Sequence, residues 1–469
     1  MTSWVSPVQT VPNEILEAIF DDCCDTNLFK VTGVRSMAFL RDKPALTLSS
    51  VCSRWRSVGL SLSSIWSRIS LKYYDDDLPL VENRLATILT IFISRSRQQP
   101  LSINIYLDDY EFKSSAPETY QLLSMLCKEY QRWSSFTFRS ESWTVHNLFN
   151  IGFTLANLDV FLNLVDLDLP PALTGTNLDF FTRRAPKLRR LNLDSDWTGY
   201  ETLEIPSAFP LAQLTHLRLD ITSSVVWETL QKQVLSETAL LSLDTEDVDW
   251  IGRNLESITS TTCSSIELLN VRHYWNDTSG SIFPFLNLPS LKTLRLDCGQ
   301  DSLKRDHWWR NFDPFMAFVK RSSFPLTTLY IECLALSDSN LVYLLHHIPT
   351  LMDLTFNDTK GVRHLSPITK QFIESLHAHR TSSLRQQTAP LIPRLRYLTL
   401  ATGATSFDDE AVVDMVTSRW APDGSDVNVD CLRSFTITFH ARTKVPCAYE
   451  TLNNIEKAGM RIAVLVGQV

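Results

Sequence analysis

The chain has 469 residues, 44% of them hydrophobic and 20% charged, with a net charge of −8. That length exceeds one ordinary compact core, and that composition belongs to a folded chain, not a disordered one. The acid excess weighs against non-specific nucleic-acid binding, and only 13 glycines argue against glycine-rich nucleotide loops.

Residues Met1 to Pro7 carry neither a basic n-region nor an apolar h-region, and no apolar run is long enough to span a bilayer. The nine cysteines are scattered, odd in number and free of any CxxC pair, which fits reduced thiols. The expectation is a cytoplasmic or nuclear protein without membrane contact.

The first predicted helix begins at Pro12, whose missing N–H costs nothing in a first turn, with Glu14 adding a favourable charge. Ile15, Leu16, Ile19 and Phe20 fall on one helical stripe. The stretch from Phe20 to Leu48 holds Gly33 and Pro44 and reads as a loop. A second helix is expected where Leu48, Val51, Cys52 and Trp55 follow i, i+3, i+4, i+7 spacing, with Arg54 and Arg56 off that stripe and Cys52 packed. Ile65-Trp66, Ile69 and Leu71 close the segment. Two short amphipathic helices must pack together, and surplus apolar surface is open to a partner.

The string Val11-Pro12-Asn13-Glu14-Ile15-Leu16, then Val51-Cys52-Ser53-Arg54-Trp55-Arg56, then Ile65-Trp66, resembles an F-box. The family pattern is Leu-Pro-x-Glu-Ile-Leu, Val-Cys-x-x-Trp-Arg and a later Leu-Trp. Val11 stands where the family has leucine, and the spacing from Phe20 to Leu48 is longer than usual. The resemblance implies a module over 8–70 that binds a Skp-type adaptor and through it a cullin. By that resemblance the adaptor-binding residues are drawn from Pro12, Ile15, Leu16, Ile19, Phe20, Leu48, Val51, Cys52 and Trp55. Some of these must pack inside the module instead; Pro12, Leu16 and Trp55 are the leading contact candidates.

Downstream, Leu85 to Ser94 reads as a helix, and Pro100 to Ile105 and Trp133 to Phe138 as early strands in a connecting segment, 71–140. A Leu-x-x-Leu-x-Leu unit then recurs over 141–469. It starts at Leu164, Leu188, Leu214, Leu291, Leu326, Leu351, Leu395 and Leu432, with weaker copies at Leu240 and Ile266. The early spacing matches the leucine-rich-repeat period. Each unit alternates faces as a strand does, and stacked strands bury one continuous leucine core. Helices are expected at Asn177 to Arg184, Asn340 to His347 and Glu410 to Arg419, with Phe181, Leu344, Leu345 and Val413 inward. Ile462 to Val466 reads as a closing strand. The fold class is therefore α/β, a helical N-terminal module followed by an irregular solenoid with a parallel strand row. The whole resembles F-box proteins with degenerate leucine-rich repeats, which implies a substrate-recognition subunit of a ubiquitin ligase. A protein-interaction scaffold without a ligase role is the alternative.

On the exposed side of the strand row, one column holds Arg218 and Arg295, and the next holds Asp194, Asp220, Asp297 and Glu332. The acids can grip a basic patch on an unknown protein substrate, or pair with arginines on neighbouring strands. Arg183, Arg184, Lys187, Arg189 and Arg190 form a basic run, either phosphate-binding or a solvated surface. His307-Trp308-Trp309-Arg310 can anchor a partner or fill an irregular turn. No nucleophile-elbow, zincin or phosphate-loop motif occurs, so neither catalysis, a cofactor nor a metal is expected.

Overall fold

The computed structural model describes residues 10–31, 42–74, 79–108, 121–140, 160–169, 184–193, 213–220, 240–247, 260–273, 281–298, 309, 311–358, 366–378, 390–403, 407–420 and 429–467. The chain divides into two compact units, Met1–Leu214 and Thr215–Val469. Both are mixed α/β with parallel strands.

In the first unit, Pro12 precedes α1 (Asn13–Cys23). The segment expected to loop out instead contains β1 (Asn27–Val31), which pairs in parallel with β2 (Arg68–Tyr74), Asn27 against Ile69. Burial of Phe29 on the core side of β1 is what fixes it there. The expected second helix is two helices, α2 (Pro44–Ser50) and α3 (Ser53–Ser61). Pro44 opens α2 at a position where no N–H is needed. Cys52 breaks the run with extended φ −156 and ψ 171, and its Sγ accepts the Trp55 N–H, so it caps α3. Leu48, Val51, Cys52 and Trp55 therefore do not share one helical face, and Cys52 is exposed, not packed.

The two helices approach closely because the residues at their contact are small. A Cβ on Gly59 would lie 3.3 Å from the Ser49 Cβ. Trp66, wholly buried, donates its indole N–H to the Gly59 carbonyl at 2.7 Å. The helix α4 (Pro79–Arg95) then sets Phe92 edge-on against Phe29 and Trp66, with centroids 5.2 and 4.9 Å away. The strands β3 (Leu101–Asp108), β4 (Trp133–Ser140), β5 (Asp166–Asp168) and β6 (Arg190–Leu193) extend the row, with α5 (Gln121–Cys127) between β3 and β4. Each strand pairs in parallel with the next. The row thus begins at β1, inside the stretch 8–70, and β2 runs across that stretch's end. The helix expected at Asn177 to Arg184, Phe181 included, lies outside the described residues but for Arg184.

The second unit holds β7 (His216–Asp220), β8 (Ser242–Asp247), the short β9 (Thr261–Thr262), β10 (Leu268–His273), the short β11 (Leu286–Asn287) and β12 (Thr293–Cys298). After these come β13 (Thr328–Glu332), β14 (Asp353–Asn357), β15 (Tyr397–Thr402), β16 (Ser434–Phe439) and β17 (Arg461–Val466). Apart from the separate β9–β11 pair, they form a parallel row in chain order. Register stacks Leu294, Leu329, Leu354, Leu398 and Phe435 in one column, and Leu296, Ile331, Phe356, Leu400 and Ile437 in the next. All are buried, so the recurrent leucine unit is a strand wherever the sequence places one.

The helices α6 (Phe312–Ser322), α7 (Asp338–His346), α8 (Lys370–Ser375), α9 (Asp409–Trp420) and α10 (Asn453–Lys457) lie between these strands in sequence. Ser337 caps α7 by accepting the Asn340 N–H at 3.0 Å, and Leu344 and Leu345 are buried as expected. On α9 the inward residues are Val412, Met415, Val416 and Arg419, while Val413 is half-buried. The expected inward position was one residue off.

Candidate functional site

The N-terminal helices form one small core around an aromatic contact. Leu16 is 2% exposed and Phe20 0%, and Phe20 meets Trp55 edge-on at 5.1 Å. The adjoining side of α1, about 100° around its axis, shows Ile15, 52% exposed, and Ile19, 43% exposed, one turn apart. Val51, in the break between α2 and α3, is 58% exposed. The nine candidate docking residues therefore separate. Pro12, Ile15, Ile19, Val51 and Cys52 are exposed, Leu48 and Trp55 are half-buried, and Leu16 and Phe20 are interior. Leu16, a leading contact candidate from sequence, packs inward because it shares the buried side of α1 with Phe20. Covering the half-open Ile15, Ile19 and Val51 side chains is worth on the order of 1 kcal/mol each.

Three polar fasteners hold this face in place. Arg54 donates to the Val11 carbonyl and, at 2.9 Å, to Asn13 Oδ1, gripping the start of α1 where Pro12 offers no side-chain cap. Arg68 Nη2 donates to both carboxylate oxygens of Asp21, at 2.9 and 3.0 Å, tying α1 to β2. The Arg68 hydrogen bonds hold the Asp21 carboxyl below the usual range. Asn27, wholly buried, donates to the Ile65 and Arg68 carbonyls at 2.8 and 3.0 Å and accepts the Ala45 N–H at 3.2 Å. Arg54 lies off the apolar stripe and Asn27 sits in an apparent loop, so periodicity gave no signal for either; Asp21, the carboxylate partner of Arg68, is far away in sequence.

The exposed side of the strand row is polar and largely self-paired. In the first unit Arg139 meets Asp168 at 2.9 Å, and Arg190 pairs with Asp166. Of the basic run, Lys187 donates to Asn163 Oδ1 at 3.0 Å and Arg189 to the Gln213 carbonyl at 2.8 Å; Arg183 lies outside the described residues. In the second unit one column runs Arg218, Asp244, Asn270, Arg295, Tyr330, Thr355 and Thr399 by register. The next runs Asp220, Glu246, Arg272, Asp297, Glu332 and Asn357. Arg272 interrupts the acids, at a position that the weak copy starting at Ile266 hid. Asp194 lies outside the described residues, as does the side chain of Asp220. Arg218 faces Asp244 at 3.7 Å, Arg295 lies over the Tyr330 ring at 5.2 Å, and the Tyr330 hydroxyl donates to Glu332. Burial, with Glu332 beside it, pushes the Tyr330 hydroxyl above its ordinary range.

Trp309 is buried against Phe283, Phe312 and Phe315; His307, Trp308 and Arg310 lie outside the described residues. Among the described residues no group of acidic, histidine or cysteine side chains has metal-binding geometry, and no helix is long and apolar enough to cross a membrane.

The chain matches no protein-family model and no curated protein.

Proposed function

We propose that this chain is the substrate-recognition subunit of a Skp-cullin-F-box ubiquitin ligase, with the N-terminal helices as its F-box and the strand row as a leucine-rich-repeat-like solenoid. The adaptor docks on the N-terminal helices, and an unidentified protein substrate is held by the solenoid. The chain performs no covalent step in this reading; tethering raises the effective concentration of substrate lysines near the charged enzyme. The observation that carries it is the two-sided α1. Leu16 and Phe20 satisfy the internal core while Ile15 and Ile19, with Val51, stay open to a partner.

A scaffold without a ligase role is the second reading. It is favoured by Asn27 and β1, which stitch the helices to the strand row as an end cap would be stitched. The test uses the full chain, because β1 and β2 belong to a sheet that a short N-terminal fragment would cut. Purified Skp-type adaptor is retained by the wild-type chain, and Ile15→Asp with Ile19→Asp weakens retention at least about tenfold without lowering the unfolding temperature. A wild-type chain that retains no adaptor leaves only the scaffold.

A further inference from the structure

We propose that β17 is a self-association edge, at which two copies of this chain join by antiparallel pairing of Arg461–Val466 about a two-fold axis through Val464. Among the described residues the strand pairs with β16 alone, and its other side carries no strand. Arg461 N donates to the Arg433 carbonyl at 3.0 Å and Gly467 N to the Phe439 carbonyl at 2.9 Å. Odd-numbered residues therefore bond toward β16, and Ile462, Val464 and Val466 aim their N–H and C=O groups the other way. The edge of β1 is managed differently: Leu28 N donates to the Asp42 carbonyl at 2.8 Å, and Lys43 Nζ donates to the Leu28 carbonyl at 3.0 Å.

The side chains of β17 are also incompletely covered. Ile462, Val464 and Val466 lie in register with Phe435, Ile437 and Phe439, all buried, yet are only half-buried themselves. Leu465, on the opposite face, is 50% exposed. The strand carries one charge, Arg461, and no proline, so side-chain protection of this edge is slight.

A second copy is the occupant that this sequence fits. With Val464 facing Val464, Ile462 faces Val466, and every residue with outward amides meets another such residue, as hydrogen-bonded antiparallel pairs require. Each pair also shares a face: Ile462, Val464 and Val466 on the core side, Ala463 opposite Leu465 on the other. Arg461 then faces Gly467, and no like charges stand directly opposed.

Sedimentation equilibrium of the full chain tests this. The wild-type mass is expected to rise from 53.6 kDa toward twice that value as concentration increases. Val464→Pro removes an outward N–H and leaves the bonds to β16 intact. Leu465→Lys sets two ammonium groups diagonally across the junction, each near the Arg461 of the other copy. Each variant is expected to weaken dimerisation at least about tenfold. A wild-type chain that stays monomeric up to about 100 µM overturns the proposal, as does dimerisation of the Leu465→Lys variant as tight as wild type.

Discussion

Phe20 of α1 and Trp55 of α3 meet edge to face, with ring centroids 5.1 Å apart and planes at 62°. This is a favoured aromatic geometry, and it joins a helix that precedes β1 to one that follows it. The contact decides which residues of α1 are structural. Phe20, with Leu16 a turn before it, is committed inward, and Ile15 and Ile19 are left on the adjoining side.

Truncation on the two sides of α1 is therefore expected to give opposite results. Phe20→Ala opens a cavity against Trp55 and costs about 3–5 kcal/mol. Ile19→Ala removes a side chain that is already 43% exposed, and its cost stays within about 1 kcal/mol. Urea unfolding of the full chain, followed by tryptophan fluorescence, measures both. Equal losses for the two variants contradict the inward assignment of Phe20.

The strands were legible because their signal is repeated. Leucines at alternate positions mark Leu191 and Leu193 as plainly as Leu398 and Leu400, and all four are buried. The strand β1 was not legible, since Phe29 is the one large apolar side chain buried among its described side chains, and Gly33 and Pro44 beyond it suggest a loop. The break at Cys52 was hidden for another reason: Leu48, Val51, Cys52 and Trp55 mimic a helical stripe, and only the extended backbone at Cys52 reveals a cap in its place. At the candidate docking face, sequence gave the apolar residues but not their sides. Leu16 and Ile15 are neighbours of similar hydrophobicity, and only packing against the rest of the module separates them. The charged fasteners follow from contacts between distant positions, such as Asp21 with Arg68, for which no local pattern exists.

Arg419 presents a further stability test. It is wholly buried on α9, and its guanidinium donates to the Leu376, Leu391 and Ile392 carbonyls. Ile392 has φ 43, a left-handed conformation that a β-branched residue rarely adopts, and Arg419 holds its carbonyl. Desolvation pulls the Arg419 group down to about 10. Arg419→Met leaves these carbonyls without that donor and is expected to cost about 3 kcal/mol. Arg419→Lys recovers only part of it, because a single ammonium cannot reproduce the planar fork. Denaturant midpoints of the variants measure the loss; a methionine variant as stable as wild type shows that the buried cation contributes nothing net.

Lys43 gives the N-terminal module a pH dependence of defined sign. Its side chain is buried, with Nζ donating to the Leu28 carbonyl at 3.0 Å and lying 4.8 Å from the Phe29 ring centroid. Desolvation pulls it down to about 8, against 10.5 for an exposed lysine. Below the lower value the folded and unfolded chains both carry the proton, and the cost of burying the ammonium is present in full. Between the two values the folded chain has released its proton while the unfolded chain still binds it, so the unfolding free energy rises with pH across that window. Lys43→Met has no such group. The stability of wild type relative to this variant is therefore expected to increase by on the order of 2 kcal/mol from about pH 8 to about pH 10. Urea titrations of both proteins at the two pH values measure the change. A difference that stays constant, or that shifts in favour of the methionine variant at high pH, contradicts a lysine desolvated between β1 and α2.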